Sequence, residues 1–103
     1  MKTKYGLAVT SNNIINKKGN VLWCTRSEPN APIDTGWTFL SDIDTEEFLA
    51  DDNNLSLVTF ETVIDIEPAV ARLVNLPIGA DLALVKKDND IYFVDVETSV
   101  RII

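Results

Sequence analysis

The sequence predicts an α+β fold: a mostly antiparallel sheet of five to six strands with two short helices on one face. Three observations lead there. Short β-rich runs recur along the chain with turn residues between them. Only two stretches carry clear helix-start signals ahead of an apolar face. The joints between runs are short, so strands pair with chain neighbours and run antiparallel. The chain has 103 residues, of which 46% are hydrophobic, so residues 1–103 read as a single domain with a real core.

The elements follow in order. Tyr5 to Thr10 alternates bulky and small residues as a strand does, and Ser11-Asn12-Asn13 breaks it. Lys17-Lys18-Gly19-Asn20 is a turn. Val21 to Arg26 is the second strand, and Trp37 to Ser41 the third, with Trp37 and Phe39 on one face. Asp42 or Asp44 caps a short helix from Thr45 to Ala50, where Glu46 and Glu47 suit the positive end of the helix dipole. Asp51 to Asn54 stops it, and Leu55 to Phe60 is the fourth strand. Thr62 to Asp65 forms at most one helical turn. Glu67-Pro68 opens a firmer helix whose Val70, Leu73 and Val74 face the sheet, and Pro77 and Gly79 end it. Leu82–Val85 and Ile91–Val94 form a hairpin around residues 86–90. Val96 to Ile103 adds an edge strand or an ordered tail; an unpaired edge there offers a route to a homodimer.

Charge narrows the function classes. Net charge is −7, and no Lys or Arg lies between Arg26 and Arg72. An acidic middle repels phosphate backbones, which argues against nucleic acid. No run approaches the roughly 20 apolar residues of a membrane helix. Met1-Lys2-Thr3-Lys4 and the interrupted stretch after it do not form a secretory signal, and a lone Cys24 suits a reducing compartment, so the expected location is cytoplasmic.

Catalytic chemistry finds little to work with. There is no histidine, which removes the commonest general base and metal ligand. Cys24 sits within a strand and reads as a small buried hydrophobe. Asp42-x-Asp44-x-Glu46-Glu47 suggests calcium, but an EF-hand loop counted from Asp42 would need Gly and Glu where Glu47 and Asn53 stand. Asp88-Asn89-Asp90 is a turn. No cofactor or metal is expected, and no enzyme.

Binding is better supported. Residues 27–36 carry Pro29 and Pro32, so this loop is stiff and loses little entropy on docking. Trp37 behind it is either a core pillar or a partly exposed anchor, and Trp23 has the same two readings. The candidate partner-binding residues are Glu28, Asp34, Trp37, Asp42, Asp44, Glu46, Glu47, Asp51 and Asp52.

Glu28-Pro29, the run Asp34-Thr35-Gly36-Trp37-Thr38-Phe39-x-Ser41, the acidic helix after it, and Ile64-Asp65-Ile66-Glu67-Pro68 together resemble the immunity protein 33 family of small bacterial α+β domains. The resemblance spans about Thr10 to Val94. Thr38 departs from it, standing where the family pattern has a basic residue. It implies a non-enzymatic module that neutralises a toxin; the acidic charge layout, read beside it, points to docking on a basic protein. It brings no catalytic residues. The alternative is an accessory or structural domain without a toxin partner, in which the same acids only keep the chain soluble.

Overall fold

The computed structural model describes residues 3–103. Six strands form one sheet: β1 (Leu7–Ser11), β2 (Val21–Arg26), β3 (Asp34–Ser41), β4 (Leu55–Thr59), β5 (Asp81–Lys87) and β6 (Asp90–Asp95). Their order is β4-β1-β3-β2-β5-β6. Every pair is antiparallel except β1 with β3, so the sheet is mixed but mostly antiparallel. Three short α-helices, α1 (Asn12–Ile15), α2 (Glu46–Leu49) and α3 (Phe60–Ile66), and 3-10 turns at Asp52–Asn54 and Pro68–Leu73 complete it. None of these helices is long and apolar enough to cross a membrane.

The sheet has one packed face and one open face. Directly opposed residues on paired strands share a face. Cys24 pairs with Phe39 and Leu82, and all three are buried. With Ala8, Trp37, Leu84 and Phe93 they form the sheet side of the core. Ile14 of α1, Phe60 and Val63 of α3, and Val70 and Leu73 of the second 3-10 turn close over it. Trp37 stacks on Phe39 at 5.9 Å and 8°. Phe60 meets Phe39 edge-on at 5.7 Å.

Several boundaries differ from the sequence reading, each for a local reason. Ser11-Asn12-Asn13 starts a helix instead of a loop: the Ser11 hydroxyl accepts from the Asn13 amide, and Ile14 of the same turn is fully buried. Strand β3 begins at Asp34, three residues early, because Gly36 takes a φ of +82° that lets the strand pass the loop. A Cβ there would lie 2.0 Å from the Ser27 carbonyl oxygen. Helix α2 is capped by Thr45, whose hydroxyl accepts from the Phe48 amide, not by Asp42 or Asp44. It contributes no buried residue and packs mainly on the 3-10 turn after it, beyond the end of the sheet. Of the two helices expected on one face, the one at Thr45–Ala50 is α2 and buries nothing, and the one opened by Glu67-Pro68 is 3-10 and not α; that 3-10 turn packs on the core beside α1 and α3.

The C-terminal residues behave as an ordered tail with strand-like pairing. The Phe93 amide donates to the Ile103 carbonyl, the Ile102 amide to Phe93, and the Asp95 amide to Val100. Arg101 pairs with Asp90 at 3.1 Å and lies over the Tyr92 ring. The tail thus covers part of the β6 edge with the chain itself.

Candidate functional site

The candidate residues separate into two groups at opposite ends of β3. Glu28 and Asp34 lie at its start. Asp42, Asp44, Glu46, Glu47, Asp51 and Asp52 lie in the connection from its end to the start of β4, which sits beside the end of β1. The turn holding Lys17 and Lys18 adjoins this second end, since Gly19 packs on Ser41 and Ile43. A single uninterrupted acidic patch is not what the topology builds.

Trp37 is a correction. It is 1% exposed, stacked on Phe39 and covered by the Arg26 guanidinium at 5.9 Å, so its ring cannot reach a partner. Alternation explains this: Thr35, Trp37, Phe39 and Ser41 all face the core. Its indole Nε1–H has no acceptor among the described residues, and Trp37 lines a cavity of about 50 Å³ with Tyr5, Arg26 and Thr35. The exposed tryptophan is Trp23, 40% accessible. It pairs with Leu40 and Ala83, which places it on the open face.

Asp44 is a second correction. Its carboxylate accepts from Ser11 Oγ at 2.9 Å, Asn13 Nδ2 at 2.8 Å, Ser41 N at 2.7 Å and Ser41 Oγ at 2.6 Å. Burial pushes its carboxyl up, but the Ser41, Asn13 and Ser11 donors outweigh it and hold it below the ordinary value. The group clasps α1 to the end of β3. Asp42 is held down in the same way by the Asn20 amide at 2.9 Å and the Asn20 side chain at 3.2 Å, which closes the turn into β2. Asp51 accepts from the Asn53 amide and caps its 3-10 turn.

Glu28, Glu46, Glu47 and Asp52 are exposed. Asp34 does two things. Its carboxylate accepts from the amides of Asn30 and Gly36, which folds the proline-bearing loop, and it lines a groove on the open face. That groove, of about 450 Å³, runs over β1 and β4 and also meets Asp52. Members of both acidic groups thus face a common space there.

Two features escaped the sequence. Glu67 is buried, accepts from the Ala69 amide and forms an ion pair with Lys86. Its position just before Pro68 was the available signal for a capping role. The open face itself was the other: Val9 pairs with Leu57 and Thr38, on the side away from the core, leaving Leu57 57% exposed. Leu-Ser-Leu at the start of β4 carried that pattern.

Among the described residues no group of three His, Cys, Asp or Glu side chains converges to hold a metal ion. Cys24 is buried, and burial, then the charge of Glu67, pushes its thiol up to about 12. Fold and surface together define a small α+β scaffold with one sheet face packed and the other open. The chain belongs to the immunity protein Imm33 domain family, whose model matches residues 8–95. No curated protein and no solved structure gives a significant match.

Proposed function

We propose that this chain neutralises a toxin by binding it, performing no chemistry of its own, and that the toxin presents a basic surface. Family membership carries the first part. The second rests on Glu46, Glu47, Asp51 and Asp52, which stand exposed in a segment without a single Lys or Arg from residue 27 to 71. Such a surface steers a basic partner and raises the association rate more than the final affinity. A thiol raised to about 12 is no nucleophile at neutral pH, and the lowered carboxyls are pinned by hydrogen bonds and not poised as acids or bases. The place of action in this reading is the cytoplasm, where Cys24 stays reduced.

The experiment is co-expression with toxins of bacterial conflict systems, beginning with the products of the genes that flank this one. Cells carrying both should survive, and cells carrying the toxin alone should not. Reversing Glu46, Glu47, Asp51 and Asp52 together to Lys should slow association about ten-fold or more at low salt and much less at high salt. Absence of protection overturns the toxin reading. An on-rate indifferent to these four charges overturns the acidic docking surface.

A further inference from the structure

The groove on the open face has the composition of a docking channel. Val9, Leu55 and Leu57 form its floor, Ile33 part of its wall, and Asp34 and Asp52 its two carboxylates. Leu57 is 57% exposed and Ile33 44%, and both line this one depression. Its volume of about 450 Å³ falls in the range of pockets that hold ligands. Among the described residues no Lys or Arg lines it.

The walls are set before anything binds. β1 and β4 pair in unbroken antiparallel register from Leu7–Thr59 to Ser11–Leu55. The loop wall is tied down by the Leu7 amide, which donates to the Ile33 carbonyl at 2.8 Å. The Asp34 carboxylate fastens the same loop through the Asn30 and Gly36 amides. A partner would therefore meet a formed surface and lose little to its ordering.

We propose that this groove receives a segment of a partner protein in which apolar side chains flank a Lys or Arg: the apolar groups rest on Leu57 and Ile33, and the cation reaches Asp52 or Asp34. Charge decides among occupants. A second copy would bring the same two carboxylates and a further net charge of −7 against the site. Nucleic acid and anionic lipid are repelled by it. A neutral apolar molecule offers neither carboxylate a cation. The assignment rests on the toxin-binding reading only for whose segment it is; the chemistry of the groove stands apart from it.

The test uses three short synthetic peptides, alternating Leu with Lys, Leu with Glu, and Ser with Lys, titrated into the full chain while backbone amide resonances are followed. The Leu/Lys peptide should move the amides of Leu7, Val9, Ile33, Leu55 and Leu57, and the other two should bind at least about ten-fold more weakly, a difference of about 1.4 kcal/mol. Asp52→Lys and Leu57→Lys should each weaken the Leu/Lys peptide to a similar extent. Both side chains are exposed, so thermal melts should confirm an intact fold. Glu97→Lys, outside the groove, should leave binding unchanged. Equal binding of the Ser/Lys peptide, shifts mapping elsewhere, or no shifts at millimolar peptide would overturn the proposal. A dimer in sedimentation that Leu57→Lys dissociates would give the groove to a second copy instead. Failure to protect against the toxin while the peptide still maps to the groove removes the toxin reading alone. Protection that survives Asp52→Lys and Leu57→Lys removes the groove alone.

Discussion

Asp44→Asn should weaken the fold itself, in a pH-dependent way. Oδ1 of the native carboxylate serves Ser11, Asn13 and the Ser41 hydroxyl, and Oδ2 serves the Ser41 amide. Asparagine offers only one oxygen. If it replaces Oδ1, its NH2 group faces the Ser41 N–H, donor against donor, at the end of β3 where Ser41 is 1% exposed. Losing a hydrogen bond to a charged group costs about 1.5–3 kcal/mol, and the remaining bonds weaken as the charge goes. Water reaches the outer side of the carboxylate, which trims the total to about 2–3 kcal/mol, or a melting point lower by roughly 10–20 °C for a domain of this size. The native carboxyl titrates below its ordinary 3.8. A depressed carboxyl stabilises the fold fully above the unfolded value and loses that contribution as pH falls through the folded one. Melting followed by circular dichroism should therefore show a constant gap between native and Asn proteins from neutral pH to about 5, shrinking below 3.8. The lowered Glu61 carboxyl is common to both proteins and cancels, while Asp42 loses only the small upward push of the Asp44 charge in the variant. A variant melting within about 2 °C of the native protein at neutral pH, or a gap that persists undiminished in acid, refutes the clasp.

Three further outcomes are expected. Gly36→Ala forces a side chain at φ +82° into the Ser27 carbonyl and should cost about 3 kcal/mol or more. Gly79→Ala, at φ +98° with open space around it, should cost only about 1 kcal/mol; similar denaturation midpoints for the two would refute the close approach. Cys24, its thiol raised to about 12, should resist iodoacetamide at mildly alkaline pH until guanidinium unfolds the chain, and mass spectrometry showing native labelling at the free-thiol rate would contradict its burial. Deleting residues 98–103 removes the pairing of Val100, Ile102 and Ile103 with β6 and should cost about 2–4 kcal/mol; an unchanged melt would mean the tail contributes nothing.

Much of the fold was legible because it depends on local signals. β2 was read to the residue, the β5–β6 hairpin lay where two β-rich runs flank Asp88-Asn89, and Pro68 marked its turn. What stayed hidden depends on partners far along the chain. β1 pairs with β3 and β4, not with β2, and nothing in Leu7–Ser11 encodes that choice. The same holds at the surface. Asp42, Asp44 and Asp51 look like Glu46 and Glu47 in a sequence, because an acid that caps a turn and an acid that meets a partner differ only in which amides surround them. Trp37 and Trp23 both sit in strands, and their opposite fates follow from which face each registers on.

The position of β1 has a consequence for how the chain is born. Of the six strands this one leaves the ribosome first, yet its neighbours, Asp34–Ser41 and Leu55–Thr59, are translated well after it. Until they emerge, Leu7, Ala8 and Val9 have no lateral partner, and the nascent chain holds an apolar ribbon with both margins bare. Closing those distant contacts is slow compared with helix or hairpin formation, which makes this interval the time when chaperones have most to shield.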